Sequence, residues 1–477
     1  GFRPLYLKDK QNPQPGLAAI EISPIIDRKG QILRNLLLDK LSPRGQPGFS
    51  FVPTSREAER SGNGYNHIGD LNLRLRTTGG EWRDFASAHD RAPIRALPVH
   101  GDIIAAADIT AGVLTLDAGG PITLDTTVTS ADISTSAAGN VDLDETDAIV
   151  LTDVDTDNGA ITVDAGGQIT ATDVDSSNTD DGSNNISLTS TGAGIEVQSV
   201  IAGNSNDVNL DAQAGSITEN GDAGVDVTAD VLIIDAVSGV GSADAIETQI
   251  NTLDLDNTTS GNVDINETDA LDINQLDQDA TGGTVNVDAG GTITVVDAQS
   301  GVSGTDGQVE LDANGATSSI AVNASVTSTS GDINVLADDD VTFDATSDVT
   351  TTCGNVTVTG DADAGGSGTD GAVTMADGAV IDAGSGTIDI DADEDVSLST
   401  VTTTSTVDAT SAAGAIVDNT AAEAANITGS SLDLDAATGI GSGASLDGTG
   451  DIEINGSLLS AVNSTSGNIN ITEVDSV

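Results

Sequence analysis

A five-residue pattern, Gly-x-Ψ-x-Ψ with Ψ an aliphatic residue or Met, begins at Gly112, Gly120, Gly139, Gly159, Gly261, Gly283, Gly291, Gly307, Gly331, Gly354, Gly371, Gly386, Gly450 and Gly467. Glycine allows a corner, and the period-two alternation puts the aliphatic residues on one face of a short strand and Asp, Thr, Asn or Ser on the other. A chain written this way folds as short strands and tight corners, with half of every strand facing water.

Longer blocks recur on top of this pattern. Leu116-Asp-Ala-Gly-Gly120-Pro-Ile122-Thr123 returns as Val163 to Thr170 and as Val287 to Thr294. Gly139-Asn-Val-Asp-Leu-Asp-Glu145-Thr-Asp147 returns at Gly261 to Asp269 and, weakened, at Gly467 to Asp475. Leu232-x-Ile234-Asp-Ala…Gly239-Val-Gly-Ser242 returns 200 positions later as Leu432-x-Leu434-Asp-Ala…Gly439-Ile-Gly-Ser442. Such strands suit either tandem β-sandwiches or a parallel β-solenoid. Sandwich sheets stand about 10 Å apart and need bulky side chains between them. After residue 100 the chain has one aromatic residue, Phe343, so the thin aliphatic core of a solenoid is favoured over a sandwich and over disorder. At roughly 20 residues per coil and about 4.8 Å per coil, the repeat region would make a rod on the order of 90 Å long.

Charge divides the chain in the same place. All 15 Lys and Arg lie between Arg3 and Arg95, so the overall −61 splits into about +5 for residues 1–100 and −66 for residues 101–477. The expected organisation is therefore mainly β: a small α+β head, a cap, anchor or assembly unit, over 1–100, and an acidic parallel β-solenoid (β-helix) stalk over 101–477. So acidic a chain is not expected to bind nucleic acid or anionic membranes, and no apolar run reaches the length of a membrane span. One cysteine, Cys353, excludes an internal disulfide and a cysteine-rich zinc site. The sequence starts at Gly1 rather than Met, as a chain with its leader removed or a fragment would.

In the head, Ser23-Pro24 followed by Ile32, Leu33, Leu36, Leu37 and Leu41 predicts an amphipathic helix closed by Ser42-Pro43. Thr54-Ser55-Arg56-Glu57 has capping-box spacing for a second helix, and Leu71, Leu73 and Leu75 leading through Gly79-Gly80 to Trp82 and Phe85 predict a hairpin. His67, His89 and His100 have no metal-motif spacing and read as solvated or packing residues.

The Gly-Asn-Val/Ile-x-Leu/Ile strands, the Asp-Ala-Gly-Gly-x-Ile-Thr corners and the Ala-x-x-Gly-Ile-Gly-Ser segments make residues 101–477 resemble the large bacterial β-strand-repeat surface proteins, in the style of filamentous haemagglutinins and other adhesin-like solenoids. The resemblance implies a secreted, right-handed β-helical stalk acting in adhesion, cell-surface coats or biofilm. The head carries none of the Asn-Pro-Asn motifs of a haemagglutinin secretion domain.

A β-helical polysaccharide-degrading enzyme is the rival reading. Its site would need a base or charge clamp and aromatic sugar platforms, yet no Lys, Arg, His, Trp or Tyr follows His100, so no catalytic residue is expected. Cys353 reads as a small buried or corner residue, since no basic partner in the repeat region can activate it. Carboxylate runs point instead to Ca2+, which takes oxygen ligands. The candidate ligands are Asp153, Asp155 and Asp157; Asp338, Asp339 and Asp340; and Asp391, Asp393 and Asp395. The competing reading is that Asp simply populates turns and solvated strand faces. The sequence thus leads to an extracellular or cell-surface structural and adhesive protein, self-associating head-to-tail into a filament or oligomer and contacting a host, cell-surface or matrix ligand. A calcium-dependent matrix or surface-layer protein is the alternative.

Overall fold

The computed structural model describes residues 109–474 except 222, 297–300, 363–370, 422–423 and 442–449. It adds, as backbone only, the strands Phe49–Ser55, Leu71–Thr77, Trp82–Ala88, Ile94–Arg95 and Ile103–Ile104. The repeat region is a parallel β-solenoid of about 15 coils. Its strands pair with those of the coil before and the coil after, never with their own neighbours in sequence through a hairpin.

Three ladders run the length of the described solenoid. The first rises through Leu124, Leu143, Val163, Leu188, Leu210, Ile234, Leu255 and Leu276 to Val302, and on through Val349 and Val401 to Ile427 and Ile454. The second links Ile149, Ile169, Ile195 and Ile217 through single bridges at Val240 to Val263, then Val285, Val309 and Ile333. The third begins with Ile133, Val154, Val174, Val200 and Val227, and farther along carries Ile293, Ile320, Val341 and Val373. One coil therefore encloses a core to which each side contributes inward aliphatic side chains, as with Val141 and Leu143, Ile149 and Leu151, and Val154, all buried. Burying such a side chain stabilises by roughly 1.5–3 kcal/mol, and each row is buried on both sides by the coils above and below, so a thin core without rings is sufficient.

Strand burial follows the alternation read from the sequence. Val141–Glu145 and Ile161–Ala165 show buried and outward residues in strict turn. Phe343 is buried and stands in register with Met375 of the next coil, where a flexible thioether fits against the one aromatic side chain of the region.

One expectation needs correction. Fourteen coil steps separate Leu124 from Ile454, so a coil takes about 24 residues rather than 20, and 15 coils at about 4.8 Å give a rod near 70 Å. Corner insertions cause the difference, as in the 32-residue step from Val349 to Ile381. In the head, Thr54 and Ser55 end the extended strand Phe49–Ser55, paired antiparallel with Leu71–Thr77, and the helix expected after them lies outside the described residues. Leu71–Thr77 and Trp82–Ala88 form the antiparallel hairpin. The helix over Ile32–Leu41 lies outside the described residues. Parallel pairing already begins before residue 101, with Ile94–Arg95 against Leu114–Thr115 and Ile103–Ile104 against Ile122–Thr123.

The internal repeats fall on different sides of the coil. The Gly-Asn-Val/Ile block occupies the first ladder at Val141, the second at Val263 and the third at Ile469. The Asp-Ala-Gly-Gly block likewise takes the third, first and second ladders in its three copies. Leu232 belongs to the first ladder and Leu432, 200 residues on, to the second. A repeated sequence thus returns rotated by one side of the coil.

Candidate functional site

Two devices build the corners. A column of glycines stacks with no room for a side chain: a Cβ on Gly307 would lie 1.9 Å from the Gly283 carbonyl oxygen, on Gly331 1.8 Å from that of Gly307, and on Gly386 1.8 Å from that of Gly354. None of these glycines has a left-handed φ, so close approach between coils, not backbone freedom, demands glycine here. Left-handed glycines include Gly261, which begins this column, and Gly239 and Gly241 with their repeat partners Gly439 and Gly441.

The second device is an Asn or Asp just before the first inward residue of a strand. Its side-chain oxygen accepts a hydrogen bond from a backbone N–H one coil on. Asn140 accepts from Ala160 (3.1 Å), Asn262 from Thr284 (3.1 Å), Asp332 from Asn355 (2.7 Å) and Asn355 from Thr387 (2.9 Å). These bonds staple one corner to the next.

The nine aspartates picked out from the sequence occupy three settings. Asp153, Asp155 and Asp157 lie on the strand Ile149–Asn158, alternating with the buried Val154 and Thr156 on the outer face. Asp153 is in register with Asp132, and Asp155 with Asp175 of the next coil. Partial burial, then the charges of Asp153, Asp175 and Asp173, push Asp155 up to about 6. Asp157 accepts a hydrogen bond from the Asn178 amide. Asp338, Asp339 and Asp340 form the turn after Ile333–Ala337. Asp340 staples the Ala372 N–H at 2.8 Å, and Asp339 accepts from the Ser319 hydroxyl at 3.3 Å. Asp391 ends a strand beside Asp389, and Asp395 accepts from the Ala415 N–H at 2.7 Å. Asp340 and Asp395 are thus corner staples. Cys353 sits in a corner turn and is exposed.

Two glutamates are among the most deeply buried carboxylates. Glu145 and Glu267 hold the same place in two copies of one repeat, each about 1 % exposed. Glu145 Oε2 accepts from the Thr126 hydroxyl (2.7 Å) and the Val128 N–H (2.9 Å), and Glu267 Oε2 from the Thr248 hydroxyl (2.6 Å) and the Ile250 N–H (3.1 Å). Burial pushes Glu267 up to about 7 against these stabilising bonds. Both are fully used as corner ties.

One cluster is not. Glu219 ends the strand Ile217–Glu219, Asp226 precedes Val227 at the following corner, and Glu247 lies one coil on; one carboxylate oxygen from each falls within 4.8 Å of the others. Among the described residues this is the single group of three acidic, His or Cys side chains so disposed, and none of the nine aspartates belongs to it. Asp226 is 1 % exposed. Its Oδ2 makes the corner staple, accepting from the Glu247 N–H at 3.0 Å, while its Oδ1 is buried with no hydrogen-bond partner, as is Glu247 Oε2. Burial, then the negative neighbours Glu247 and Glu219, push Asp226 up to about 8. Glu247 is also raised, again chiefly by burial. The sequence reading missed these residues because they are scattered over two coils. A signal was present: extending the 200-residue repeat upstream from Leu232 and Leu432 aligns Asp226 with Asn426 and exposes the change from amide to acid.

Comparison with known proteins adds one partial likeness. Residues 31–133 match the model of a family of unknown function, DUF5695, across the junction between head and repeats and into the first described coils. No curated protein and no solved structure matches the chain.

Proposed function

We propose that the chain is a structural and adhesive stalk of a cell-surface or extracellular assembly, self-associating end to end. The observation that carries this reading is the uninterrupted parallel ladder of about 15 coils, whose outer faces carry carboxylates and no cationic side chain. Stacked coils with short corners make a stiff spacer, and outward like charges keep its flanks from pairing with one another. On the strand Ile452–Asn463, Leu458 (65 % exposed), Leu459 and Val462 leave apolar surface exposed that another chain can cover. The +5 head and the −66 repeat region add an electrostatic preference for head-to-tail order. The lack of Lys, Arg, His, Trp and Tyr after His100 weighs against a polysaccharide-degrading site.

Electron microscopy with sedimentation tests the reading. Rods joined end to end are expected, shortening to single particles as salt rises. Monodisperse single particles at every salt concentration would remove the self-associating stalk.

A further inference from the structure

We propose that Glu219, Asp226 and Glu247 form a specific divalent-cation site of the calcium class, seated at one corner and bridging two successive coils. Oxygens that all lie within 4.8 Å of one another can share an ion at about 2.4 Å, the calcium–oxygen distance. All donors are oxygens. Asp226 is buried with its Oδ1 unpartnered, one of its carboxylate oxygens belongs to the cluster that Glu219 and Glu247 complete, and both glutamates are partly open to water that can fill further positions. No Lys, Arg or His follows His100, so the repeat region itself supplies no cation to this corner.

The molecule contains its own comparison. Asn426 stands 200 residues after Asp226, and by position in the coil the strand Ile416–Asp418 matches Ile217–Glu219, so that Asp418 takes the place of Glu219 and Glu453 that of Glu247. The backbone is the same in both. The Val200 N–H bonds the Asp226 carbonyl at 2.7 Å and the Val401 N–H that of Asn426 at 2.7 Å; the Asp226 N–H bonds the Glu247 carbonyl at 2.8 Å and the Asn426 N–H that of Glu453 at 2.8 Å. The staple also matches, with the Glu453 N–H donating to Asn426 Oδ1 at 2.9 Å. The difference is the other side-chain atom. Asn426 Nδ2 donates to Asp418 Oδ1 at 2.8 Å and closes the second corner without an ion. Where the first corner has an acid, that donor is missing and the oxygen faces other carboxylates. A cation supplies what the amide supplies in the second copy.

The site is independent of the stalk reading and is tested on the full chain by calorimetric titration of calcium in a potassium chloride buffer concentrated enough to suppress weak binding along the acidic faces. One saturable site per chain is expected, lost in Asp226→Asn and weakened in Glu219→Gln. The Asn426 corner shows that this fold accepts the amide, and melting of Asp226→Asn should no longer respond to calcium beyond the effect of matched ionic strength. Asn426→Asp should raise the stoichiometry from one to two. An unchanged saturable phase in Asp226→Asn, or none in the parent chain, would overturn the site.

Discussion

At the scale of single residues, the stacked glycines Gly307, Gly331, Gly354 and Gly386 are fixed by distance. A Cβ on any of them would fall inside the van der Waals radius of the carbonyl oxygen of the glycine one coil before, an oxygen held by the parallel ladder. Gly331→Ala should therefore destabilise by about 1–3 kcal/mol, the range for overpacking a tight site. Gly112→Ala is the control: nothing lies within 4 Å of its Cβ, so the change should be neutral or slightly stabilising. Paired thermal melts check this, and equal effects would show that packing is not what selects glycine at the corners.

At the scale of elements, the corner staple accounts for much of the Asn and Asp content that otherwise looks like metal ligation. Each staple satisfies a backbone N–H at a strand start that the parallel ladder leaves without a carbonyl partner. Asn355→Ala removes the acceptor for both the N–H and the hydroxyl of Thr387. A loss of about 1–2 kcal/mol is expected, with hydrogen exchange of the Thr387 amide faster than in the parent chain. Asn355→Asp retains an acceptor and should preserve protection of that amide.

At the scale of the whole molecule, the charge is one-signed throughout the repeats, and stability should follow pH accordingly. Asp155 and Asp312 are held up to about 6 and Glu267 up to about 7, in each case first by burial. The ordinary values are 3.8 for Asp and 4.5 for Glu. A raised folded-state value means that the folded chain binds more protons than the unfolded chain between the two values, so stability falls as pH rises through that window. The melting temperature should thus be highest at or below about pH 4 and decline toward pH 7–8, with added salt narrowing the difference by screening the like charges. Glu267→Gln should flatten the part of this slope between about 4.5 and 7. A melting temperature that rises with pH across this interval would contradict the burial described for these carboxylates.

The alternation of Val, Ile and Leu with Asp, Thr and Asn determined the strands, their inward faces and the thin aliphatic core, because a two-residue period is a local property that any segment carries by itself. The same locality explains why Gly139, Gly261 and Gly331 were legible as corners from the sequence while the reason for glycine was not: the backbone atoms that exclude a side chain belong to residues 18 to 24 positions away, Pro121, Ser238 and Gly307. Tertiary structure alone decided the length of a coil, since corner insertions change it from 19 residues between Leu124 and Leu143 to 32 between Val349 and Ile381. It decided as well which ladder each repeat joins, so that like sequences stand on unlike sides. That stacking brought Glu247 onto Asp226 and Glu219, while Asp153, Asp155 and Asp157, adjacent in sequence, remain spread along an outer strand face. Sequence proximity sets the pitch of a strand, and only coil closure sets which carboxylates meet.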